Sequence, residues 1–274
     1  MMNRRYWRYV DHSTLGRTFD ALQSFAYDDT FLHFIAADDA EALVRTWVHQ
    51  NTVVLGIQDS RLPYIEDGLQ FLQEKGYHYL VRNSGGLAVP LDLGILNVTL
   101  VLKETKGLSI DAAYEKMYML IKNAFRPYNV AIDAYEIVGS YCPGSFDLSI
   151  SGKKFAGISQ RRIRGSVAVQ IYLCVNGSGK TRAALMREFY RLATRGEKTT
   201  FQYPDIVPET MASLNELVDE TLSINDVITR LLQTIREEAI DIVPHTLSEK
   251  EIAFFEQQYE RLIKRNEKLL ASES

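Results

Sequence analysis

The sequence predicts an α+β fold: a mixed β-sheet core flanked by helices, with a helical appendage at the C-terminal end. Three observations carry this. Val167, Val169, Ile171, Leu173 and Val175 alternate with Ala168, Gln170, Tyr172 and Cys174, the clearest strand in the chain. Just before it, FDLSI and KKFAGI flank Ser151-Gly152, a two-residue hairpin turn. From Ser213 onward strand signals stop and helical spacing takes over. With 274 residues, about twice the modal domain size, the chain reads as a core over residues 1–212 with an appendage over 213–274 packed on it.

The elements follow in order. Phe19, Leu22, Ala26, Leu32 and Ile35 recur at helical spacing, so 18–36 is an amphipathic helix, Thr18 to Ala36, whose polar side carries Asp28 and Asp29. TVVLGI at 52–57, HYLVR at 78–82 and GILNVTLVLK at 94–103 are β-rich runs, the last two separated by a Gly-rich loop. Met117, Leu120, Ile121 and Ala124 restore helical spacing over 112–125, which ends at Arg126 because Pro127 disfavours the α region before it. A helix covers 182–193, and Pro204 and Pro208 mark a loop. Ser223 caps DVITRLLQTIREE, and Ser248 with Glu251 forms a capping box before the last helix.

Composition narrows the function. Hydrophobic residues make up 46% and charged residues 24%, an ordinary globule with material for a substantial core. Lys and Arg number 31 against 35 Asp and Glu, a net charge of −4, so no global positive field draws the chain onto nucleic acid or anionic lipid. No apolar run follows the N-terminal charges, and the longest uncharged stretch, Gly165–Gly179, is too short and too polar to span a bilayer. A cytoplasmic protein without membrane or nucleic-acid partners is expected.

Candidate chemistry concentrates in two loops. Gly177-Ser178-Gly179-Lys180-Thr181 imitates the end of a phosphate-binding loop, but the first Gly of that motif falls on Cys174, so a plain strand-to-helix connection is the better reading. His12, His33, His49, His78 and His245 are scattered away from both cysteines, and no metal site is expected. Cys174 lies within the clear strand and reads as structural. Cys142 instead sits in Gly139-Ser140-Tyr141-Cys142-Pro143-Gly144-Ser145, a turn-forming stretch of the kind that presents functional groups. A free thiol, with pKa about 8.5, needs a nearby cation or dipole to act as a nucleophile near neutrality, and Lys153 and Lys154 lie just downstream. The second loop, Arg82-Asn83-Ser84-Gly85-Gly86, follows a short strand, and its glycines let backbone approach a ligand or simply turn tightly.

VVLGIQDS, RNSGGLAVPLDLGILNVTL and GKKFAGISQRR together resemble, in order and spacing, the catalytic domain of the biotin and lipoate protein ligase superfamily. The family-like part covers about residues 38–212, with the motifs falling between Trp47 and Val175. The resemblance implies that fold, and an acyl site formed by Arg82, Ser84, Gly85, Gly86, Ala88 and Gly157, with Lys154 as the lysine directed to the acyl carbonyl. Ligases carry two consecutive arginines and a His-Asp pair where this chain has Val81-Arg82 and Leu91-Asp92, so ATP-dependent activation is not expected. GSYCPGSFDLSISGKKFAGISQRRIRG is similar to the cysteine-dependent octanoyltransferase branch.

Within that branch the resemblance implies transfer of an octanoyl group from the octanoylated glycine cleavage H protein to lipoyl domains of 2-oxoacid dehydrogenase E2 subunits. Cys142 would carry the acyl group as a thioester, with Lys154 lowering its pKa, and no cofactor is needed. Transfer from octanoyl-acyl carrier protein, a lipoate ligase, and a non-catalytic acyl-protein binder are the alternatives. The hairpin register pairs Lys154 with Ser149, so Pro143-Gly144 must fold the chain back for Lys154 to reach Cys142. Arg161, Arg162 and Arg164, with Lys153, form a basic group that either docks acidic carriers or is a solvated strand face.

Overall fold

The computed structural model describes residues 6–16, 19–37, 42–163, 165–239 and 241–270. In chain order its elements are β1 (Tyr6–His12), α1 (Ala21–Ala37), β2 (Ala42–Trp47), β3 (Thr52–Leu55), α2 (Ile65–Glu74), β4 (His78–Val81), β5 (Val89–Leu91) and β6 (Ile95–Lys103). There follow α3 (Ile110–Ala124), β7 (Asp133–Ala134), β8 (Asp147–Ile150), β9 (Lys153–Ile163), β10 (Ser166–Cys174), α4 (Gly179–Thr194), α5 (Leu214–Leu217), α6 (Ile224–Glu238), β11 (Asp241–Pro244) and α7 (Glu249–Leu270). One sheet has eight strands in the order β11-β1-β2-β6-β10-β9-β8-β7, and a second has three in the order β4-β3-β5. The large sheet is mixed: β1 runs parallel to β2 and β11, and the remaining pairs are antiparallel.

The alternation in β10 decides the layering. Val167, Val169, Ile171, Leu173 and Val175 join the core with α3 and α6, while Tyr172 and Cys174 pack with the small sheet, α2 and α4 on the opposite face. The α+β fold expected from the sequence is therefore present. The 151–152 hairpin also forms: Ser151 and Gly152 both have positive φ, 51° and 74°, as a two-residue turn matched to strand twist requires. Ser223 caps α6, and Ser248 and Glu251 make their reciprocal bonds at the start of α7.

Three expectations change. β1, β2 and α2 were not foreseen; β2 is buried along its whole length and so carries no alternation to read. A strand does follow Ser213: β11 pairs in parallel with β1 at the edge of the large sheet. Asp28 and Asp29, expected on a polar outer side, are buried, because α1 lies across the sheet with those carboxylates facing arginines rather than water. Arg45 on β2 pairs with Asp28 at 2.7 Å, both side chains fully buried, and Arg161 on β9 pairs with Asp29 at 2.5 Å. Thr18 lies outside the described residues, and α1 begins later than expected, at Ala21.

Around Arg45 the buried polar groups form one network. Arg45 donates to the Ser24 carbonyl (2.8 Å), and Thr99 and Gln170 both donate to Asp28 Oδ2 (3.3 and 2.5 Å). His49 Nδ1 donates to the Phe19 carbonyl (3.1 Å), leaving Nε2 to accept from Ser24 Oγ (2.9 Å). Burial first, then the Arg45 charge, push both His12 and His49 down to about 3 from 6.5. On acidification the unfolded chain therefore binds protons at these sites from pH 6.5, whereas the folded chain does so only near pH 3. Their contribution to stability is present above pH 6.5 and is lost as pH falls toward 3. Urea unfolding between pH 7 and 4 should show a smaller acid loss for His49→Gln than for the wild type; parallel pH dependences would exclude His49 as a source.

Candidate active site

The hairpin β8–β9 sets the site. Its register shifts between Leu148 and Ser149: Leu148 pairs with Ala156 but Ser149 with Lys154, so Phe155 is an extra, bulged residue. A bulge redirects side chains. Lys153 points to solvent, while the Lys154 side chain is fully buried beneath the 139–147 loop. There its ammonium pairs with Asp147 (2.9 Å) and donates to Ser140 Oγ (3.2 Å) and to the carbonyl oxygens of Tyr141 and Cys142 (both 2.9 Å). The turn through Pro143-Gly144 does fold the chain back, and the contact it makes is with the Cys142 carbonyl. Asp147 also accepts from the Ile137 amide (3.1 Å), so one buried ion pair pins both ends of the loop. Burial raises the Asp147 carboxyl, with Lys154 acting against that rise.

Cys142 stands at φ 45°, a left-handed conformation that costs a non-glycine residue on the order of 1 kcal/mol or more and is held here by the Lys154 bonds. Its sulfur, half-buried, accepts from the Leu87 amide (3.1 Å) and lies 3.5 Å from Arg82 Nη2. Arg82 also donates to the Leu87 carbonyl (2.7 Å), locking the 82–88 loop around the thiol. Glycine is required at one position of this loop and at one just after β3, on which the loop rests. A Cβ on Gly86 (φ 105°) would lie 2.1 Å from Arg82 Nη2 and 3.0 Å from Cys142 Sγ, and one on Gly56 would lie 2.0 Å from the Gly86 carbonyl oxygen. The Ala88 amide donates to Tyr190 (3.2 Å), whose hydroxyl donates to Asp59 (2.9 Å), and the Gly56 amide donates to the same carboxylate (2.7 Å). Burial pushes Asp59 up to about 6.

Beside the thiol lies a cavity of about 230 Å³, lined by Phe25, Trp47, Val54, Val89, Leu91, Ile171 and Tyr172, and closed toward α1 by Asn97, Ser159 and Gln170. Cross-strand pairing builds its walls: Trp47, Asn97, Tyr172 and Gly157 stand in one row, and Arg45, Thr99, Gln170 and Ser159 in the next. Gly157 leaves the first row open, because a Cβ there would sit 2.8 Å from the Tyr172 ring. Arg82, Gly85, Gly86, Cys142 and Gly157 all border the cavity, whereas Ala88 is buried behind the loop and the half-buried Ser84 hydroxyl has no partner. An apolar pocket with a thiol at its mouth suits a linear acyl chain.

Other expected features resolve differently. Cys174 is fully buried, its thiol pushed up to about 12 by burial. Ser178 caps α4, and the Gly179 amide donates to Glu216 (3.0 Å), so a carboxylate occupies the position a phosphate would need. Asp92 pairs with Arg182 at 2.6 Å. Two members of the basic group are bonded within the chain: Arg161 to Asp29 and the Asn83 carbonyl, and Arg162 to Glu104 and the carbonyls of Leu108 and Ser109, while Lys153 is exposed. Arg164 lies outside the described residues. Asp59, within VVLGIQDS, and Tyr190 support the Arg82 loop and were not singled out from sequence; the Asp59 motif was visible, but Tyr190 sits in an ordinary helical pattern.

The fold and the thiol-mouthed apolar pocket define a protein that handles acyl groups. Residues 20–236 match the model of the lipoyl protein ligase A/B catalytic domain, and the chain belongs to that family. It is 52% identical over 274 residues to an octanoyl-GcvH:protein N-octanoyltransferase of Geobacillus kaustophilus (strain HTA426), covering 100% of this chain and 97% of that one. It is 49% identical over 271 residues to a lipoyl-GcvH:protein N-lipoyltransferase of Listeria monocytogenes serovar 1/2a (strain ATCC BAA-679 / EGD-e), covering 98% of each. A crystal structure of lipoate-protein ligase A bound with ATP superposes with a TM-score of 0.73 over 97% of this chain and 98% of that one, at 19% identity, which speaks to the fold.

Replacing Lys154 by Met leaves Asp147 buried and unpaired, and urea unfolding should show a loss of about 3–5 kcal/mol. Adding Asp147→Leu should recover most of that stability without restoring the loop bonds; a double variant no more stable than the single would show that the loss lies elsewhere than in the unpaired carboxylate.

Proposed function

We propose that the chain transfers an octanoyl group from a lysine of GcvH, the glycine cleavage H protein, to a lysine on lipoyl domains of 2-oxoacid dehydrogenase E2 subunits, through a thioester on Cys142. The observation that carries this reading is the Cys142 sulfur at the mouth of the apolar cavity, facing the Leu87 amide and Arg82. The names of both relatives support GcvH as the donor, and that of the Geobacillus kaustophilus relative supports octanoyl as the acyl group.

The residues divide the work. The Leu87 N–H and the Arg82 guanidinium face the sulfur and orient it toward the cavity. The thiolate attacks the octanoyl amide carbonyl, a C–S bond forms as the C–N bond breaks, and the proton lost by the thiol ends on the departing lysine amine. A deprotonated acceptor lysine then attacks the thioester carbonyl; C–N forms, C–S breaks, and the proton the amine loses ends on the departing sulfur, so that the thiol returns. An amide is exchanged for an amide, so no nucleotide is consumed. Lys154 acts by fixing the Cys142 carbonyl and thereby the angle of the thiol. At about 0.8 kcal/mol per buried CH2, burying the octanoyl tail contributes roughly 5 kcal/mol toward seating the acyl group in the cavity.

Intact mass after mixing with octanoyl-GcvH should show one octanoyl group on Cys142, removed by hydroxylamine. Cys142→Ala should lower transfer by roughly 10³-fold or more with the fold intact. Near wild-type transfer by that variant would overturn the covalent route. A requirement for ATP with free octanoate would return the chain to ligase chemistry, and stronger labelling by octanoyl-acyl carrier protein or lipoyl-GcvH would reassign the donor. Lys180→Ala, at the exposed Lys180–Glu209 pair, should leave transfer unchanged.

A further inference from the structure

β4 is the edge of the three-stranded sheet: one side pairs with β3, and the other faces α7. At its last residue, Val81, the outward backbone groups are taken by a side chain. The Val81 amide donates to Asn266 Oδ1 (2.6 Å), and Asn266 Nδ2 donates back to the Val81 carbonyl (3.0 Å) and to Leu262 one turn earlier (3.1 Å). The Asn266 amide thus acts as one rung of a missing neighbouring strand. Arg265 adds donations to the carbonyls of Val81 (3.2 Å) and Arg82 (3.1 Å).

An asparagine on a buried helix face is unfavourable unless both its polar ends are bonded, and Asn266, only 7% exposed, has both bonded to the residue before Arg82. The helix is itself anchored on α1: Phe255 stacks on Tyr27 at 4.1 Å, Tyr259 donates to Asp20, and Leu262 is buried. The chain of contacts runs from α1 through α7 to the Val81 backbone, then to the guanidinium that touches the Cys142 sulfur.

We propose that Asn266 and Arg265 are positioning residues that hold the root of the 82–88 loop, and through it Arg82 and the Leu87 amide, on Cys142. The kinetic part rests on the transfer reading above; the structural part does not. Hydrogen exchange of the full chain measures the structural part directly. Asn266→Leu, which fills the space without the amide, and Arg265→Ala, at a half-buried position, should each speed exchange over 82–88 by roughly tenfold, while exchange across β10 stays as in the wild type. Transfer from octanoyl-GcvH should lose kcat with KM for the donor little changed, and Asn266→Gln, which keeps an amide, should recover part of the loss. Unchanged exchange over 82–88 in both Asn266→Leu and Arg265→Ala overturns the proposal, as does faster exchange with transfer unaltered. A wild type that moves no octanoyl group would instead count against the transfer reading and leave the exchange result standing.

Discussion

The arrangement depends on a charged ammonium placed in the interior. Desolvating Lys154 is tolerable only because Asp147 neutralises it and three further oxygens accept its protons. Those acceptors are not free to lie anywhere: two are consecutive carbonyls of the cysteine loop, so satisfying the lysine dictates the backbone of Tyr141-Cys142. The left-handed turn at Cys142, the direction of its sulfur, and the closeness of Arg82 all follow from that coordination.

A second buried charge, Arg45, does the corresponding job at the far end of the cavity. It pairs with Asp28 on α1, the carboxylate to which Thr99 and Gln170 donate, and Gln170 accepts in turn from Ser159; Gln170 and Ser159 border the apolar space. The pocket is thus apolar along its walls and bounded by polar groups that are already bonded to one another. A hydrocarbon chain loses little by lying against such satisfied groups, whereas a polar ligand gains few free partners from them.

How much of this was legible in sequence follows physical lines. β10, the Ser151-Gly152 hairpin and the capped helices were readable because periodicity and turn chemistry are local. Cys142 and the Arg82 loop stood out because polar, Gly-rich segments beside strands are unusual in a core. What sequence hid was tertiary pairing. Asp28 and Asp29 looked like a solvent face until Arg45 and Arg161, on different strands, claimed them; Arg161 and Arg162 looked like a patch for the same reason. The bulge at Phe155 could not be seen in spacing that reads as plain alternation, and it turns Lys154 inward. Asn266 is one polar residue in a charged helix, with nothing local to mark it.

The crossing of Gly56 and Gly86 has a mechanical consequence. Because the Gly86 carbonyl rests where a side chain of residue 56 would stand, the two backbones are stacked with no cushion between them. A segment seated that way is blocked from sinking further and from sliding along the strand beneath. That stop sets how closely the flanking donors, Arg82 and the Leu87 amide, approach the sulfur.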